Sequence, residues 1–300
     1  MLNIENLIKT TENSKIDKQY ISNLNEKIYE IYNELADDSC KNLAIELIIT
    51  EQYSEDVFKI SSEICTAFLP TDDGINTGFA VVLKDDRING KYFIMMNSLV
   101  ALAAINNKDS VKYLFINVFA HELAHIKCYE YEKNIDWFNE SNFSNEVIRA
   151  NVIWREYYAC REASHVFYID QDFLVESKNN IKMQEERITE NYKKLLDREI
   201  SVTIFEKNEN YYLDSIFIQI AYIFGNLSYE ILSQDEPENC FIQCCEVFEG
   251  KKIQKMVLEI QKEYRKLYDM FPHWESEDIF LQIIKLSKEY ISYILTKSSN

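Results

Sequence analysis

Apolar residues recur along most of this chain at helical rather than strand spacing. Over 16–37, Ile21, Leu24, Ile28, Ile31 and Leu35 fall three or four apart among charged neighbours, which predicts an amphipathic helix. A shorter one is predicted over 53–65. From residue 98 onward the same period predicts helices over 98–106, 109–131, 144–169, 179–198, 211–233, 241–268 and 276–296. Breaks at Asn106-Asn107, 133–143, 170–178, 234–239 (with Pro237) and Pro272 separate them.

Strand signals are few. The isoleucines of 41-KNLAIELIIT-50 favour a strand. In 77-TGFAVVLKDDRINGKYFIMMN-97, two β-rich runs (78–84 and 91–96) flank a loop holding Asp85, Asp86 and Asn89-Gly90, which predicts a hairpin. A short strand is predicted at 201-SVTIFE-206. The expected fold is therefore α+β and mostly α. A helical N-terminal region (1–70) precedes a mixed core with a small sheet (71–170), and a large helical region (171–300) follows.

Composition agrees with this picture. Five Gly and three Pro in 300 residues disfavour a turn-rich β fold, and 47% hydrophobic residues suffice for a globular core. The net charge of −18 repels phosphate backbones, which argues against a nucleic-acid partner; it would favour a basic protein or peptide, but plain solubility is the simpler reading of the acidity. No apolar run reaches membrane-spanning length, and the first 18 residues lack a secretory apolar core. Seven cysteines (40, 65, 128, 160, 240, 244, 245) show no disulfide spacing, so the expectation is reduced thiols in a cytoplasmic protein.

One segment carries chemistry. Val111, Leu114, Phe115 and Val118 form an apolar stripe that continues directly into His121, Glu122 and His125. Three ionisable groups on a core-facing stripe need a compensating centre. Two histidines four apart present their nitrogens on one helix face, and the intervening Glu122 can polarise a metal-bound water, so zinc is the expected cofactor. A third ligand is required. The extended form with Gly and His three and six residues after the second His is absent, since those positions are Cys128 and Tyr131.

The following helix, 152-VIWREYYACREASHVFY-168, offers Glu156 and Glu162. Glu156 shares a face with Val152, Ile153, Ala159, Cys160 and Ala163; Glu162 shares one with Arg155, Tyr158 and His165, a more polar side. Glu156 is thus the candidate ligand; the alternative is a carboxylate engaged by a buried Arg or Tyr. Cys128 and Cys160 read as small core residues. Cys240, Cys244 and Cys245 with His273 match no zinc-finger spacing.

His121-Glu122-Leu123-Ala124-His125 followed by Glu156 in E-Y-x-A-x-x-x-A resembles the Glu-type zincin metallopeptidases, the gluzincins. The resemblance implies a zincin-like core in which His121, His125 and Glu156 bind Zn2+ and Glu122 is the catalytic base. It also implies an edge strand lining the cleft, which here would be 91-KYFIMMN-97, pairing with a peptide backbone. The motif HELAHI further resembles the ImmA/IrrE-like metallopeptidases of bacteria and phages. The chain departs from that group in Tyr157-Tyr158 after Glu156 and in having no Pro between 71 and 236. The likeness spans about 78–168 at most.

The expected activity is hydrolysis of a protein or peptide bond. Tyr157, Tyr158, His165 and His273 all stand as candidates for a supporting oxyanion donor. The alternative is a non-catalytic protein on a zincin scaffold that binds a regulatory protein partner. The sequence is silent on oligomeric state.

Overall fold

The strand Lys91–Asn97 (β4) is built from a nearly continuous apolar run, Tyr92 to Met96, and such a strand is buried on both faces. In the computed structural model it lies inside a four-stranded sheet of order β1-β2-β4-β3. Its neighbours are Ala44–Thr50 (β2), paired in parallel, and Ala80–Lys84 (β3), paired antiparallel. Leu2–Asn6 (β1) adds a parallel strand beyond β2. The hairpin is therefore present, with Gly90 at φ 74° in its turn. The expectation that 91–97 forms the sheet edge is overturned: β4 is paired on both sides, by β2 and β3, and among the described residues the outer strands are β1 and β3.

The structure describes residues 2–7, 18–64, 79–85, 87–88, 90–166, 173–246, 248 and 250–298. Cys65, the loop residues Asp86 and Asn89, and the expected helix end at 167–169 lie outside them. The fold is α+β and mostly helical around this small mixed sheet. The described residues form two compact units, the first built from elements up to Glu130 and the second from elements beginning at Tyr131, apart from Val166, which groups with the first.

In the first unit, one sheet face (Ile45, Leu47, Ile49, Tyr92, Ile94, Met96) packs against two helices. Lys18–Leu35 (α1) contributes Leu24, Ile28, Ile31 and Tyr32, and Asp109–Glu132 (α5) contributes Phe115, Phe119, Leu123 and Ile126. The opposite face (Ile48, Phe93, Met95) is covered by Tyr53 and Val57 of Tyr53–Glu63 (α3). Two short helices, Asp38–Lys41 (α2) and Ser98–Ala103 (α4), complete the unit.

The second unit contains Asn145–Ala163 (α6), Phe173–Leu196 (α7), Val202–Asn226 (α8), Ser228–Leu232 (α9), Pro237–Cys245 (α10), Lys251–Met270 (α11) and Leu281–Ser298 (α12). α8 replaces the strand expected at 201–206. Its β-branched start is governed by Ser201, whose side chain accepts from the Ile204 amide at 3.3 Å as an N-cap. The single helix expected over 241–268 is two. Gly250, at φ 97°, immediately precedes α11 in a backbone conformation that no helix interior allows. Among the described residues, no helix is long and apolar enough to cross a membrane.

Candidate metal centre

His121 and His125 sit one turn apart on α5, so both imidazoles leave the same side of the helix. Their Nε2 atoms lie 2.9 Å apart and their rings meet nearly edge to face, at 83° with centroids 4.6 Å apart. Two nitrogens on one tetrahedral ion with Zn–N near 2.05 Å stand about 3.3 Å apart, so a small side-chain adjustment lets one cation accept both lone pairs. His125 is 8% exposed and Glu122, between the pair, 6%. A carboxylate buried to that extent must be engaged by its surroundings.

The apolar stripe expected to lead into the motif is rotated. Phe115, Phe119, Leu123 and Ile126 form the core face, while Leu114 is exposed. His121, Glu122 and His125 therefore stand at the margin of the core.

Side chains from elsewhere in the first unit hold this part of α5. The Cys40 thiol donates to the Leu123 carbonyl at 3.7 Å, and burial pushes its pKa up to about 11, keeping it a thiol. Lys127 lies 3.6 Å from Asp37. Tyr129 stacks between His125 (6.4 Å) and Tyr92 (6.3 Å), and the Tyr92 hydroxyl donates to Glu130. This aromatic ladder ties β4 to the second histidine.

Glu156 is half-buried on α6. His121, His125 and Glu156 form a group that could hold a metal ion, each offering one ligand atom within 4.8 Å of the others. Two imidazole nitrogens and a carboxylate oxygen suit a first-row divalent cation, and the same donor set occurs in catalytic zinc sites.

Glu156 is thus the glutamate of α6 that joins the histidines, but the face expected to be solvated is not. Arg155 and Tyr158 are buried and Val152 is exposed. Glu162 is engaged within its own unit, where its carboxylate accepts from the Tyr268 hydroxyl. Ile153, Ala159, Cys160 and Ala163 are buried as expected, and so is Cys128.

Of the expected oxyanion donors, Tyr157 and Tyr158 serve the core of the second unit. Tyr157 stacks on Tyr264 and receives a 3.4 Å bond from Arg161; Tyr158 packs against Trp154, Tyr268 and Phe271. His165 is exposed with its Nδ1 2.9 Å from the Glu162 carbonyl. Two phenols of the first unit that the sequence did not single out are Tyr129, stacked on His125, and Tyr53. Tyr53 is buried, and its pKa is raised first by that burial and then by the charge of Glu122. Nothing in its sequence neighbourhood signals this placement, which depends on α3 returning along the sheet after β2.

The thiols of α10 are free. Burial raises Cys244 to about 11 and Cys245 to about 12, so both stay protonated and unreactive. Comparison with protein-family models, with curated proteins and with solved structures finds no match to this chain.

Proposed function

We propose that this chain is a zinc-dependent metallopeptidase of the gluzincin type, hydrolysing a bond in a protein or peptide. The observation that carries the reading is the His121, His125 and Glu156 group with a buried carboxylate, Glu122, between the two histidines. A purely structural metal site has no use for a further buried carboxylate among its ligands. His121 and His125 would hold zinc through Nε2 and Glu156 through a carboxylate oxygen. Zinc bound there supplies Lewis acidity, making a water nucleophilic near neutral pH and polarising the scissile carbonyl.

The remaining work belongs to the chain's own groups. Glu122 takes a proton from the attacking water on its carboxylate oxygen and passes it to the leaving amine nitrogen. Burial keeps that carboxylate poorly hydrated, which strengthens its interaction with the proton it carries. β3, an outer strand among the described residues, is the candidate place for an extended peptide to add. The acidic surface favours a substrate segment with basic residues.

Glu122→Gln tests the catalytic part. The variant should keep its metal and its fold while peptide hydrolysis falls at least about a hundredfold, the usual loss on removing a general base. If wild type and Glu122→Gln are equally inactive on a broad peptide library, the alternative of a non-catalytic partner-binding protein takes precedence.

A further inference from the structure

The residue immediately before the proposed ligand Glu156 is a buried arginine engaged by two carboxylates. Arg155, 9% exposed, donates through Nε to both oxygens of Glu132 at 2.9 and 3.1 Å, and its Nη2 donates to Glu132 as well. Nη2 also lies 2.5 Å from Oε1 of Glu140. Asn151, one turn earlier on α6, donates to that same oxygen at 3.2 Å. The guanidinium carbon stands 6.0 Å from the centre of the Phe138 ring.

Glu132, 3% exposed, is the last residue of α5, an unbroken helix that carries His125 two turns earlier.

Stability does not explain this network. A buried ion pair is often no more stabilising than apolar side chains of the same volume, because desolvation cancels most of the attraction. What it adds is direction. A guanidinium gripping a carboxylate through two nitrogens fixes distance, plane and rotation together.

α6 needs such an instruction. Ile153, Trp154, Tyr157, Tyr158, Ala159 and Cys160 are all buried, so its apolar residues surround the axis rather than marking one face. The close contact at Gly225 and the Arg149–Asp214 pair orient α6 against α8, and Arg155 is the residue that orients it against the end of α5. A different rotation there would aim Glu156 elsewhere, and a ligand must be held to within about 0.5 Å and 10–20°.

We propose that Arg155 and Glu132 form a positioning clamp, fixing the rotation of α6 against the last turn of α5 so that Glu156 is aimed as a metal ligand. Neither residue is catalytic; both act through Glu156. The inference rests on the metal-site reading above.

The test is zinc affinity, measured on the full chain by competition with a chromogenic chelator. Wild type, R155K, the double variant E132L/R155M and H125A are compared, each checked for helix content by circular dichroism. R155K keeps the charge but loses the fork; the double variant keeps apolar volume and loses all direction. Zinc affinity should fall by about tenfold or more in the double variant and by a smaller factor in R155K, the range seen when groups that orient a ligand are removed. Helix content should stay at the wild-type level in both.

A folded double variant that binds zinc within twofold of wild type overturns the clamp. Unfolding of both variants overturns it too, because the pair would then support the fold rather than aim a ligand. If wild type binds zinc no better than H125A, the metal-site reading itself fails and the clamp falls with it; zinc bound by wild type and lost in H125A isolates the clamp as the claim under test.

Discussion

At Gly225 α8 lies close against α6, and replacing it with Ala tests how tightly α6 is seated. A Cβ at this position would lie 2.5 Å from the Cβ of Cys160, 3.0 Å from the Tyr157 carbonyl oxygen and 3.2 Å from the Arg161 amide nitrogen. Carbon atoms in good contact stand about 3.5–4.0 Å apart, so α6 must retreat by about 1 Å. Two of the three contacts are backbone atoms and cannot rotate away.

Overpacking of this kind costs about 1–3 kcal/mol. The better helix propensity of Ala returns about 1 kcal/mol. With backbone contacts placing the cost at the upper end, the net loss is about 2 kcal/mol, a fall of about 4–8 °C in Tm followed by circular dichroism. Because Glu156 precedes Tyr157, the same retreat should weaken zinc binding by about tenfold. Combining Gly225→Ala with Cys160→Gly should recover part of the stability, since only one of the three contacts is removed. A Gly225→Ala protein that melts at or above the wild-type temperature refutes the close seating of α6.

Two further substitutions probe parts of the account that do not touch the metal. Asp37 caps α2, accepting from the Ser39 and Cys40 amides at 3.0 and 3.1 Å, so Asp37→Ala should cost about 1 kcal/mol at neutral pH. Burial pushes its pKa up, but the Ser39 hydroxyl and Cys40 amide bonds outweigh this and leave it below its ordinary 3.8. A carboxylate lowered on folding stabilises above its unfolded pKa and ceases to as pH falls through the folded value, so the gap between Asp37→Ala and wild type should close below about pH 4. A gap in urea melts that is unchanged between pH 7 and pH 3 contradicts this. Gln261 on α11 is 0% exposed, and among the described residues neither atom of its amide has a hydrogen-bond partner. Gln261→Met should therefore raise stability by about 1–3 kcal/mol; a lower melting temperature would show that the amide is satisfied.

The parts legible in the sequence were those with a strong local signature. Periodic apolar spacing located α1, α3, α5 and α6 to within a few residues, and β2 and the hairpin were recognisable from isoleucine content and an Asn-Gly turn. The His-Glu-x-x-His spacing located the two histidines that come together because one helical turn is a fixed geometry.

What stayed hidden depended on partners distant in sequence. β1 has only Leu2 and Ile4 to mark it and exists because β2 offers a parallel edge. The interior place of β4 was written in its unbroken apolar run, but strand order depends on which strands are available to pair. Glu156 was selected by a helical face whose polar side, with Arg155 and Tyr158, turned out to be buried; an arginine reads as solvated until its carboxylate partners 15 and 23 residues earlier are known.

The central claim is that this chain holds a catalytic metal, and elemental analysis of the purified protein tests it most directly. Wild type, dialysed against trace zinc and freed of excess, should retain about one zinc per chain, and H125A and E156A should retain almost none while keeping their helix content. Wild-type protein that is folded yet carries no stoichiometric metal, or that carries the same amount as the two variants, would contradict the account.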